Sequence, residues 1–197
     1  MRDDLGDETG VWDRALSGDG GAFASLFRVH QARVHRRALS LLDRVHDAED
    51  VTSAVFFELW RKRASVRLVG GSVLPWLLVT TVHLARNHRR GVLRYRRLIT
   101  SLPRSDSPDA EAVAVDNLSN AMLGLRLADA IALLSNDDGA LLVLTALEGM
   151  TTADAAVALG IRPGTARMRL QRARQKLQAA LNDERLPVTP ALSEGER

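Results

Sequence analysis

From residue 22 to 42, Phe23, Leu26, Phe27, His30, Val34, Ala38 and Leu41 recur at three- and four-residue spacing. That period predicts an amphipathic helix, entered from the glycine-rich turn at 18–21. A second helix is expected to start near Asp47, read as its N-cap, and to run to about residue 63. Its apolar stripe is Ala48, Val51, Val55, Phe56 and Leu59. Gly70, Gly71 and Ser72 mark a loop. Pro75 suits a first helical position, so a third helix is expected over 76–96. The pattern fails over 98–116, where Pro103, Ser105, Ser107 and Pro108 read as a linker. So long a stretch without pattern is unusual inside one compact domain, which places a domain boundary there.

The second half is helical again. One helix is expected over 118–134. Ser135 caps the next, which runs to Glu148 and stops at Gly149. Thr151 or Thr152 caps a short helix over 153–159, which Gly160 breaks. Pro163 opens a last helix to about residue 181. The tail, 183–197, is polar, contains Pro187 and Pro190, and is expected to be disordered. No alternating strand pattern and no internal repeat is visible. The reading is an all-α chain of two helical domains, 11–97 and 117–182, joined by a flexible linker at 98–116.

Composition narrows the chemistry. Only 4% of residues are aromatic, so Leu, Val and Ala must build the core, which favours helices. There is no cysteine, which excludes disulfides, thiolate metal sites and cysteine nucleophiles. Asp3, Asp4, Asp7 and Glu8 are the opposite of the basic start of a secretory signal. No apolar run is long enough for a membrane span, and a cytoplasmic location is expected. His30, His35, His46, His83 and His88 show no HExxH spacing and no accompanying nucleophile motif. Gly70 and Gly71 belong to no phosphate-binding loop pattern. Neither an enzyme, a metal site, a cofactor nor a small-molecule substrate is expected.

The net charge is only +3, but its distribution is uneven. No acid occurs between Glu58 and Asp106, a stretch holding Arg61, Lys62, Arg63, Arg67, Arg86, Arg89, Arg90, Arg94, Arg96, Arg97 and Arg104. A second acid-free basic block runs over 162–176. Two separated blocks suggest two contacts with a polyanion.

Residues 152–177, TADAAVALGIRPGTARMRLQRARQKL, have the form of a helix-turn-helix: a short helix, a glycine turn and a longer basic helix. At about 100° per residue, Ala166, Leu170, Ala173 and Leu177 share one stripe, which would face the core. Thr165, Met168, Gln171, Arg172 and Gln175 lie opposite, flanked by Arg167 and Arg169. Arg167 and Gln171, one turn apart, are the expected base readers. Arg169 and Arg172 are expected on the DNA backbone, and Thr165 with the amides near Pro163 and Gly164 suits a phosphate.

The second helix carries Asp50, Ser53, Phe57 and Arg61 opposite its apolar stripe, with Glu49 and Trp60 at the edge. An exposed Phe beside acids marks a protein contact. The third helix is basic throughout. Trp76, His83, Arg86, Asn87, Arg89, Arg90, Arg94, Tyr95, Arg96 and Arg97 combine charge for a backbone with flat groups for unstacked bases.

Both halves together resemble the extracytoplasmic-function sigma factors, the minimal class of bacterial sigma factors. DAEDVTSAVFFELWRKR resembles that family's core-polymerase-binding segment, and PWLLVTTVHLARNHRR its helix that reads the −10 element. LTALEGMTTADAAVALGIRPGTARMRLQRARQKL looks like the region that reads the −35 element. The resemblance implies a promoter-recognition subunit whose partners are core RNA polymerase, promoter DNA and an anti-sigma factor. It assigns polymerase binding to Asp47, Glu49, Asp50, Ser53, Phe57 and Trp60. It assigns −10 binding to His83, Arg86, Asn87, Arg89, Arg90 and Arg94, the third helix and the 67–74 loop together capturing a flipped base. It assigns −35 binding to Thr165, Arg167, Met168, Arg169, Gln171 and Arg172. Departures are Ser53-Ala54 where the family commonly has Gln-Glu, His83 for a frequent Asn, Asp154 for a usual Glu, and Met168 within the usual Lys-Ser-Arg run. The C-terminal motif alone also fits a helix-turn-helix regulator that binds duplex DNA without polymerase.

Overall fold

The computed structural model describes residues 8–100, 127, 130, 131 and 133–182. Every regular element among them is helical: α1 (Glu8–Leu16), α2 (Gly20–Leu39), α3 (Val45–Lys62), α4 (Leu74–Thr100), α5 (Asn136–Leu142), α6 (Thr152–Leu159) and α7 (Pro163–Asn182).

Local chemistry explains the ends. Asp19 caps α2, its carboxylate accepting from the amides of Gly21 at 2.8 Å and Ala22 at 3.1 Å. For α3 the expected cap is displaced. The helix begins at Val45 behind Arg44, which makes no side-chain cap, and Asp47 lies in the first turn. A carboxylate there still favours the helix dipole, but it faces His88 Nε2 at 3.2 Å instead of a free amide. Helix α4 overruns the expected span at both ends, starting at Leu74 and reaching Thr100. No proline intervenes before Pro103, and Leu, Arg and Ile continue a helix readily. The remainder of the expected linker, 101–116, lies outside the described residues. So do most of the helix expected over 118–134 and the tail at 183–197.

Ser135 caps α5 as expected, accepting from the Asp138 amide at 3.2 Å. The helix does not run evenly to Glu148. It widens into a π-helical turn at Val143–Leu147, where the Glu148 amide bonds back to Val143 at 3.1 Å. Thr151 caps α6 by accepting from the Asp154 amide at 3.1 Å, and Gly160 ends it at φ +67°. The 70–71 loop is a tight turn. Val69 and Ser72 exchange both backbone hydrogen bonds, at 3.1 and 3.2 Å. Gly70 and Gly71 stand at φ +62° and +79°, a turn that a side chain would strain.

Helices α2, α3 and α4 pack together, with α1 across α2. Phe27 meets Phe56 edge-on at 4.7 Å, and Trp12, Leu26, Val34, Val55, Leu59, Leu77 and Val82 are buried among them. Helix α1 escaped the sequence reading because its buried contribution is two residues, Trp12 and Ala15, too few to establish a period. In the second half, α7 packs on α5 and α6. The two halves touch. Helix α4 lies against α5 and α6, and one continuous core includes residues of both.

Candidate nucleic-acid interface

Helix α7 divides its faces as its sequence predicts. Ala166, Leu170 and Ala173 are buried, whereas Thr165, Arg167, Met168, Gln171 and Arg172 face solvent. Arg169 differs. It is half-buried, and its Nη1 donates to Asp137 Oδ2 at 2.5 Å, which ties α7 to the start of α5. Arg172 turns back along its own helix, donating to the Met168 carbonyl at 3.4 Å. The exposed face is therefore cationic and rich in donors, as major-groove recognition requires.

Helix α4 places its basic residues on three sides. Asn87 and Arg94, two turns apart, are exposed. Arg89 is 7% exposed and turns inward, donating to the Leu41 carbonyl at 3.2 Å and to Asp43 Oδ1 at 2.5 Å. His83, Arg86 and Arg90 face the second half of the chain. Arg86 is 1% exposed. Its guanidinium donates to the carbonyls of Leu134 and Ser135 and, at 3.2 Å, to Asn136 Oδ1. Arg90 adds a bond to the Leu134 carbonyl at 2.6 Å. Burial, with Arg90 beside it, brings Arg86 down to about 10, still cationic at neutral pH. His83 Nε2 lies 3.8 Å from Asp137. Burial pushes its pKa down, and the nearby Asp137 only partly opposes this.

Four basic residues thus converge on the segment at 134–137. A second tie closes the same junction. Glu148, at the end of the π-turn, accepts from Arg33 at 2.9 Å and from Arg37 at 2.5 and 2.8 Å. Its side chain is 6% exposed, so the Arg37 bonds are shielded from water, whereas Arg33 stays partly in solvent. Gly139 makes room for the junction. A Cβ there would stand 3.0 Å from Arg86 Nη1 and 3.2 Å from its Cδ and Cζ. Sequence reasoning missed Arg33, Arg37, Asp137, Gly139 and Glu148. Only Gly139, a glycine within a helical pattern, carried a visible signal of close packing.

On α3, Glu49, Asp50, Ser53 and Phe57 are exposed, and Phe57 is 65% accessible. Asp47 is half-buried against His88. Trp60 is also half-buried, edge-on to Phe23 at 5.1 Å with the Arg63 guanidinium 4.3 Å from its ring centre. The expected six-residue surface therefore reduces to four fully exposed positions with two supports behind them. At its end, Arg61 and Lys62 bond Glu58 and hold its carboxyl at about 2.

The chain has known relatives. Residues 26–106 match the family model of sigma-70 region 2, and residues 124–177 match that of sigma-70 region 4. The chain is 30% identical over 176 residues to the RNA polymerase sigma factor CarQ of Myxococcus xanthus, covering 89% of this chain and 98% of that one. It is 30% identical over 172 residues to the ECF RNA polymerase sigma factor SigL of Mycobacterium tuberculosis, covering 85% and 96%. The chain belongs to the extracytoplasmic-function sigma factors. As a sigma factor it joins core RNA polymerase and directs promoter recognition at the initiation of transcription. The ECF sigma factor SigE of Mycolicibacterium smegmatis is 32% identical, and this sigma factor spans 66% of its length. Among solved structures, CnrH in complex with the cytosolic domain of CnrY superposes with a TM-score of 0.56 at 22% identity, covering 90% of this chain and 99% of that one. That likeness supports the helical fold. Among the described residues no helix is long and apolar enough to cross a membrane, and no cluster of metal-binding side chains occurs.

Proposed function

We propose that promoter recognition is divided between α7, which reads −35 duplex, and α4 with the 67–74 turn, which engages the −10 element. Arg167 and Gln171 read bases, and Thr165 and Arg172 hold phosphates. Met168 supplies an apolar contact where a donor is usual. The observation that carries this reading is the division of α7 into a buried alanine–leucine stripe and an exposed face of donors. At −10, Asn87 and Arg94 are the accessible residues of α4. The remaining assigned residues, His83, Arg86, Arg89 and Arg90, hold protein groups in this arrangement. Engagement of −10 DNA by His83, Arg86 and Arg90 requires the second half to move off α4. Arg89, bonded to Leu41 and Asp43 within the first half, acts by fixing α4 on the α2–α3 turn. Capture of an unstacked base costs a few kcal/mol, which base and phosphate contacts must offset.

Core polymerase binds the α3 surface of Glu49, Asp50, Ser53 and Phe57, with Asp47 and Trp60 setting its shape. Replacing Phe57 with Ala should weaken core binding about tenfold, or about 1.4 kcal/mol, as for a buried aromatic anchor. Helix α7's duplex binding should not change. Titration of labelled protein with core polymerase checks this, and unaltered affinity would remove Phe57 from the contact. The work is binding rather than bond chemistry, and its location is the cytoplasm, where promoter DNA is reached. An anti-sigma factor completes the proposed partners. A protein that clasps both halves would stabilise the closed arrangement and keep His83, Arg86 and Arg90 from DNA.

A further inference from the structure

Glu8 opens α1, far in sequence from every surface above, yet its side chain is only 8% exposed. Its Oε1 accepts three hydrogen bonds: from the Val73 amide at 2.7 Å, from Ser72 Oγ at 3.0 Å and from His30 Nε2 at 3.1 Å. Val73 and Ser72 form the base of the 67–74 turn and the entry to α4. Ser72 Oγ, while donating to Glu8, accepts from the Leu74 amide at 3.1 Å, the first residue of α4. Val73, directly before that helix, has no side chain that could cap it. Glu8 and Ser72 together supply that cap from another part of the chain, and the carboxylate's charge complements the helix N-terminus. Burial raises the Glu8 pKa, but the hydrogen bonds from His30, Val73 and Ser72 and the charge of His30 outweigh it, leaving it below the usual range.

The surroundings give the contact a specific consequence. The turn is closed at its neck by the Val69–Ser72 backbone pair, and its tip, Gly70 and Gly71, is exposed. A Cβ on Gly71 would lie 3.6 Å from Thr9 Oγ1, so α1 also flanks the tip. His30, fully buried on α2, bonds the same carboxylate oxygen at 3.1 Å. One oxygen atom of α1 thus ties the turn to the start of α4.

We propose that Glu8 is a positioning residue for −10 recognition, aligning the 67–74 turn and the first turn of α4 through its bonds to Ser72 and Val73. The inference rests on the reading that this turn and α4 engage the −10 element. Holoenzyme made with the full chain can be run on promoter pools randomised at −10 or at −35, with the transcripts sequenced. Glu8→Ala should flatten the −10 preference about tenfold, the effect of losing hydrogen bonds to a charged group. The −35 preference and core affinity should stay within about twofold of the parent's. Glu8→Gln keeps an acceptor oxygen and should retain part of the preference. Ser72→Ala should act in the same direction, more weakly, and decides the matter if the Glu8 variants fail to fold. An unchanged −10 profile in folded variants, or equal losses at −10 and −35, overturns the proposal. Absence of any −10 preference in the parent protein would instead overturn the underlying assignment of the turn and α4, and this inference with it.

Discussion

Gly139→Leu should drive the protein from its closed arrangement to an open one. Position 139 has no space for a side chain: even a Cβ would meet Arg86 at 3.0–3.2 Å. Arg86 cannot simply withdraw, because it is buried and charged, and its donors end on the Leu134 and Ser135 carbonyls. Displacing it within a closed junction would leave a buried charge poorly paired. Separation of the halves relieves both problems, since water can then solvate the guanidinium and the carbonyls. Overpacking of this kind costs about 1–3 kcal/mol, roughly a five- to 150-fold shift in the closed-to-open ratio. Small-angle scattering should show a larger radius of gyration, with the helical content of the circular dichroism spectrum kept. Glu148→Lys should shift the equilibrium the same way, because it sets a cation against Arg33 and Arg37. A radius unchanged in both variants would show that neither contact holds the halves together.

Arg167→Ala should weaken −35 binding and relax its sequence preference at one position. Arg167 is exposed, one turn from the exposed Gln171. A bidentate arginine–base contact is worth about 1–3 kcal/mol of discrimination. Arg172→Ala should differ in kind. It should weaken all sequences nearly equally and reduce the salt slope by about one phosphate contact. Competition binding with a randomised −35 duplex pool at several salt concentrations separates the two. An Arg167 variant with unaltered preference would sink its role as a base reader.

The parts legible in the sequence share a physical basis. Periodicity located α2 and α3 because each buries a long stripe against neighbours, and Pro75 and Pro163 marked where α4 and α7 begin. Caps with short polar side chains, Ser135 and Thr151, lay where their hydrogen-bonding habits put them. The exposed face of α7 was legible for the same reason as its buried one. What was hidden depended on tertiary contact. Arg86 and Arg90 look like DNA ligands by charge, and nothing local reveals that carbonyls more than forty residues away accept their hydrogen bonds. Arg169 was expected on the DNA backbone, but it reaches Asp137 of the same chain. Glu8 read only as one of four acids near the start of the chain, since its partners Ser72 and Val73 come near it only in the folded protein. The glycines at 70 and 71 announced a loop; only the paired backbone bonds of Val69 and Ser72 show it to be a tight turn.

Promoter-directed transcription tests the central claim most directly. Core RNA polymerase would be mixed with this chain on a genomic promoter library, without any inhibitory protein, and run-off transcripts sequenced. The expected result is a set of transcripts absent with core alone, sharing a −35 and a −10 element and lost when Phe57 and Arg167 are both replaced by Ala. Specific duplex binding by the chain, with no transcript above core alone, would contradict a sigma-factor role and favour a helix-turn-helix regulator acting without polymerase.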